Sequence, residues 1–126
     1  MKRDMDLVRD ILFAVESSDE PLDANDLVNR ENSADKVVHH LLLMNAHGLL
    51  NVTGELLILN DEQEVRGHVD SLTWNGCDYL DAIRDHKIWQ ATKDAIAKAV
   101  GSTTMDIFKE TAKLLAMQAI KAGLGM

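Results

Sequence analysis

The 126 residues are 46% apolar but only 4% aromatic, with 13 Lys and Arg against 21 Asp and Glu, a formal net charge of −8. That apolar fraction excludes wholesale disorder, and a chain of this length buries about two thirds of its surface on folding, as one domain with an extension. The acidic balance opposes a phosphate-backbone footprint, the single cysteine (Cys77) excludes an internal disulfide, and no apolar run reaches the roughly 20 residues of a membrane span.

The opening Met1-Lys2-Arg3-Asp4-Met5-Asp6 has acids where a signal peptide needs an apolar run, so a cytoplasmic location is expected. Charge is unevenly spread, with −11 on residues 1–85 and +3 on residues 86–126. Asp4 is placed to cap a first helix over about 5–17, where Met5, Val8, Ile11, Leu12 and Val15 recur at helical spacing. The run Ser17-Ser18-Asp19-Glu20-Pro21 ends it, and Asp23 can cap a short second helix carrying Leu27 and Val28. Ser33 can cap a third helix that runs to Gly48, a residue suited to a left-handed C-terminal position.

Two helices joined by a short polar turn form the core of a helix-turn-helix. Strand-like stretches follow at Leu49–Thr53, Glu55–Leu59 and Val65–Leu72, with Gly54 and Asn60–Glu64 as turns. Thr73 then caps a fourth helix, Trp74–Arg84. A fifth spans about His86–Val100, with Ile88, Thr92, Ala95, Ile96 and Ala99 on one face, and ends at Gly101. Ser102 or Thr103 caps a last helix with the apolar set Met105, Phe108, Ala112, Leu115, Ala116 and Ala119. The expected fold is mostly α with a small antiparallel sheet (α+β): a winged helix-turn-helix domain over 1–85 and a C-terminal helical hairpin over 86–126.

Three blocks carry a family resemblance. They are the opening twelve residues, Asn45-Ala46-His47-Gly48-Leu49-Leu50, and Leu72-Thr73-Trp74-Asn75-Gly76-Cys77-Asp78-Tyr79-Leu80-Asp81-Ala82-Ile83-Arg84-Asp85. Together, over essentially the whole chain, they resemble an uncharacterised family of small proteins found in bacteria, their prophages and phages. The resemblance implies a winged-helix module with a helical tail and brings no catalytic motif. Cys77 stands where the family block leads one to expect His, and Leu42 where a polar residue is usual, so no role for that His carries over.

The outward face of the third helix decides between binding roles. At about 100° per residue, Val37, Leu41 and Met44 form the core face, leaving His39, Leu42, Leu43 and Ala46 outside. Base reading in a major groove wants Arg, Lys, Asn or Gln at those positions, whereas leucines there suit a protein contact. Phosphate contacts for a DNA-binding alternative would fall to Lys2, Arg3, Arg9, Arg30 and Lys36.

Other chemistry finds little support in the sequence. His40 and His47 lie two helical turns apart, too far to share one zinc without another element. Cys77, three residues before Leu80, reads as a small buried thiol, and acidic pairs such as Asp78/Asp81 read as a solvated helix face. Trp74 and Trp89 are expected to anchor packing between the sheet and the fourth and fifth helices. On the last helix, Ile107, Leu114 and Met117 lie outside the apolar stripe and point to self-association through residues 103–122. The sequence thus favours a non-catalytic, cofactor-free interaction module that pairs as a homodimer and binds an unidentified protein. A DNA-binding regulator is the alternative.

Overall fold

The computed structural model describes residues 1–61, 63–99 and 104–123. The chain is mostly helical with a small antiparallel β component of short strands. Its elements divide between two compact units, Met1–Cys77 and Asp78–Met126. The division falls ahead of the Asp85 boundary read from the sequence, because Tyr79, Leu80 and Ile83 bury their side chains late in a helix that starts in the first unit.

The first unit opens with α1 (Met5–Ser17), whose Leu7, Val8, Ile11, Leu12 and Val15 are buried. Asp4 caps it, its carboxylate accepting from the Leu7 N–H at 3.2 Å. After β1 (Leu22–Asp23) comes a 3-10 turn, Ala24–Leu27, where Asp23 accepts from the Asn25 N–H. α2 (Ala34–Ala46) starts at Ser33, whose hydroxyl accepts from the Lys36 N–H at 3.2 Å. It stops where Gly48 takes φ +81°, a left-handed conformation in which a side chain would be strained.

Six short strands carry the rest of the unit. β2 (Leu50–Asn51) pairs antiparallel with β6 (Ser71–Leu72), and β3 (Leu57–Leu59) with β4 (Glu64–Arg66). β5 (His68–Val69) pairs with β1, setting Leu22 opposite Val69. The stretches 49–53 and 55–59 therefore do not pair with each other. Gly54 (φ +78°) bends the chain between them, and the β3–β4 turn uses Asn60 and Asp61 in left-handed backbone. Leu49, Leu50, Val65 and Val69 join the helical side chains in the core.

α3 (Trp74–Ile83) begins on the backbone that follows α2. The Thr73 N–H donates to the Leu49 carbonyl at 3.1 Å, and the Thr73 hydroxyl donates to the Gly48 carbonyl while accepting from the Gly76 N–H. Gly76 lies so close that a Cβ there would sit 2.1 Å from the Leu49 oxygen.

In the second unit, α4 (His86–Ala99) is capped by Asp85, which accepts from the Ile88 N–H at 2.9 Å. Its buried stripe is Trp89, Thr92 and Ile96, while Ala95 and Ala99 are exposed. The expected face is thus turned towards Trp89, the bulkiest apolar group the helix can bury. The expected helix end at Val100–Gly101 and the caps Ser102 and Thr103 lie outside the described residues. The Thr104 hydroxyl accepts from the Ile107 N–H at the head of α5 (Met105–Gly123). Met105, Phe108 and Ala112 of α5 are buried, the Phe108 ring lying 4.7 Å from that of Trp89. The Tyr79 hydroxyl donates to the Met105 carbonyl at 2.8 Å.

Candidate functional site

Each unit exposes apolar side chains. In the first, α2 turns Val37, Leu41 and Met44 into the core, together with Ala34, Val38 and His40. Leu42 is left 53% exposed, Ala46 is exposed, and His39 and Leu43 are half-buried. Leu42 and Asn45 form one wall of an open groove of about 340 Å³, whose other side is built from Val52, Glu55, Leu56 and Leu57. β3 carries the surface onward, with Leu57 43% and Ile58 37% exposed. Successive strand residues point to opposite faces, so these two values show that β3 is uncovered on both. The expected face on α2 held Leu42, but the contribution of Leu57 and Ile58 was missed. Three successive apolar residues in a strand, Leu57-Ile58-Leu59, were the available signal.

Charge around this groove is negative. Residues 54–67 carry Glu55, Asp61, Glu62 and Glu64 against Arg66 alone, a net −3. Among the cations named for phosphate contact, Lys36 makes an ion pair with Asp4 at 2.7 Å, and the Arg9 guanidinium lies 4.8 Å from the centre of the Phe13 ring. Lys2 and Arg3 are exposed ahead of α1, and Arg30 is exposed before α2.

Behind α2 lies a polar clasp that the histidine spacing did not disclose. His40 is fully buried; its Nε2 accepts from the Asp4 backbone N–H at 2.8 Å and its Nδ1 pairs with the Lys36 carbonyl at 2.8 Å. This pattern fixes a neutral ring, with the proton on Nδ1. Burial holds the His40 pKa below its usual value, against the upward pull of the Lys36 carbonyl and the Asp4 charge. Burial also pushes the Asp4 carboxyl up, but the Lys36 ammonium and the Leu7 N–H outweigh it and hold Asp4 below the ordinary range. His39 and His47 are half-buried. Among the described residues no group of three His, Cys, Asp or Glu side chains could hold a metal ion.

In the second unit, α5 exposes Ile107, Leu114 and Met117, each more than half exposed, and Ile120 with them. Ile120 was missed although it follows Met117 at helical spacing. Two further expectations are corrected. Trp74 is no packing anchor: it is 85% exposed on the first turn of α3, while Trp89 is buried. Cys77 is exposed as well, because the buried stripe of α3 is Gly76, Tyr79, Leu80 and Ile83, and Cys77 falls about 110° from its centre at 100° per residue. Replacing Trp74 with Ser should therefore leave stability to urea within about 0.5 kcal/mol, a value the unfolding midpoint reads directly.

No helix among the described residues is long and apolar enough to cross a membrane. No solved structure matches the chain. An uncharacterized protein of Haemophilus influenzae is 29% identical over 122 residues, covering 94% of this chain and 98% of the relative. A profile of the hypothetical-protein family DUF2513 matches residues 2–103. With that much of its length matched, the chain belongs to the DUF2513 family.

Proposed function

We propose that the first unit is a winged helix-turn-helix used to hold a protein, and that the chain pairs with a second copy through α5. The order of elements supports the winged reading. α1 and α2 flank a strand and a 3-10 turn, the β3–β4 hairpin follows, and β1 adds to the returning strand at β5. One observation carries the function: the α2 face and the adjoining strand offer Leu42, Leu57 and Ile58, not cations, at the position where a reading head would meet bases. In this proposal the module is non-catalytic, needs no cofactor, and works in the phage or prophage setting that the family resemblance implies. The DNA-regulator alternative shares the fold but must contend with an acidic hairpin.

Titration of a labelled DNA duplex at about 50 mM salt separates the two readings. No binding is expected. A tight complex whose affinity falls steeply with salt would overturn the protein-binding reading in favour of DNA. Sedimentation of the same sample should show a dimer. Leu114→Lys combined with Met117→Lys should convert it to a monomer without loss of helical signal, since both side chains are exposed in α5. A wild-type chain that is monomeric across the concentration range would remove the homodimer.

A further inference from the structure

The edge of β3 adds a specific mode of binding to the exposed face. Ile58 stands opposite Val65 in the β3–β4 register, and the Val65 N–H donates outside the ladder, to the Asn25 Oδ1 at 3.0 Å. An antiparallel residue pair whose member points its N–H away from the partner strand is the non-hydrogen-bonded kind, so both members point away. The N–H and C=O of Ile58 therefore aim outward along the free edge of β3. The outer edge of β4 is covered by Asn25 of the 3-10 turn. Among the described residues, no backbone hydrogen bond from Leu56, Leu57 or Ile58 reaches an element other than β4.

An unpaired edge beside an apolar groove is a template for strand addition, in which main-chain bonds give affinity and side-chain pockets give selectivity. Natural edges are protected by Lys, Pro or a bulge, and β3 shows only Leu, Ile and Leu. The charge of the hairpin identifies the occupant. A second copy laid edge to edge would bring two segments of −3 together, whereas a strand with Lys or Arg among its apolar residues would meet opposite charge. We infer that the outer edge of β3 takes up an extended apolar, cationic segment of another protein, its alternate side chains entering the groove beside Leu42. This rests on the reading of the face as a protein-binding one.

The test uses the full chain and synthetic peptides followed by fluorescence anisotropy. A peptide alternating Val and Lys is expected to bind. One alternating Val and Glu is expected to bind at least about tenfold more weakly, as is a Lys peptide of equal charge with Pro at the Val positions, which cannot extend a ladder. Ile58→Pro removes an outward donor while Leu57 and Leu59 keep the bonds to β4, so the hairpin should survive and the affinity fall by about tenfold or more. Hydrogen exchange supplies a readout free of mutation: the Ile58 amide of the wild-type chain should slow on saturation with the Val–Lys peptide.

Equal binding of the Pro-containing peptide, or unchanged exchange at the Ile58 amide, overturns strand addition. If the Val–Lys peptide binds, loses affinity to Leu42→Lys and leaves that amide unchanged, the face still holds protein and only the strand geometry fails. Binding of duplex DNA instead removes the reading on which the inference rests.

Discussion

Gly76→Ala is expected to cost about 3 kcal/mol, the upper end for overpacking, because the added carbon would sit 2.1 Å from the Leu49 carbonyl oxygen and 3.0 Å from its carbon. The obstacle is backbone, so no rotamer change relieves it. That same oxygen accepts the Thr73 N–H, so moving it away also breaks the junction that seats the head of α3. The intrinsic helix preference of Ala over Gly, about 1 kcal/mol, works in the opposite direction and is outweighed. Urea unfolding should show a midpoint lower by roughly 1–2 M for the variant. An unchanged or raised midpoint would mean that α3 can lift from Leu49 at little cost, despite the close approach of Gly76 to its carbonyl.

The second large effect concerns His40. Removing its ring, as in His40→Leu, leaves the Asp4 N–H without its acceptor, at about 1–3 kcal/mol before any gain from the apolar replacement, while the Lys36 carbonyl loses one of two bonds and keeps its place in the α2 ladder. Acid should weaken the wild type through the same contact. A protonated ring is a donor at both nitrogens, so Nε2–H would confront the Asp4 N–H instead of accepting from it. The folded state holds the His40 pKa below its usual 6.5, so the unfolded chain takes up the proton first as pH falls. Its contribution to stability is therefore complete above about 6.5 and is lost as pH falls from there through the folded value, at no more than about 1.4 kcal/mol per pH unit. Asp4, also held below its usual 3.8, adds a second loss in stronger acid as pH falls through its own folded value. Unfolding free energies measured between about pH 7 and pH 5 should decline for the wild type, and the slope should be smaller for His40→Leu. Equal slopes in the two proteins would show that the clasp tolerates a charged ring.

Local chemistry was the most legible part of the sequence. The caps at Asp4, Asp23, Ser33 and Thr73 depend on residues within a single turn, and each makes the hydrogen bond its position implies. The core face of α2 followed from periodicity, as did the apolar side of α1. Pairings between distant segments were less visible. β1 is two residues long, too short for any period, and its partner lies 45 or more residues away. The role of His40 was hidden because nothing in its spacing reports that the backbone N–H of Asp4, whose carboxylate caps α1, is delivered to its ring. Trp74 and Cys77 were misplaced for one reason. A side chain's size and type argue for burial, but α3 spends its buried stripe on Gly76, Tyr79, Leu80 and Ile83. The candidate face was half legible: Leu42 showed through helical phase, while Leu57 and Ile58 required knowing which edge of the hairpin stays open.

The helix α5 is anchored along its first half only. Met105, Phe108 and Ala112 are buried, but from Lys113 to Ala122 only Leu115 and Ala116 are even half-covered. These ten residues continue a helix already nucleated and anchored at Met105–Ala112, so they add turns at the low cost of propagation and carry an uncovered apolar side. A contact made through Leu114, Met117 and Ile120 would therefore dock a preformed surface, giving up little chain entropy and producing a heat-capacity signature in proportion to the apolar area it covers. Such a tail lends itself to a reversible association, one that dilution undoes without disturbing the rest of the fold.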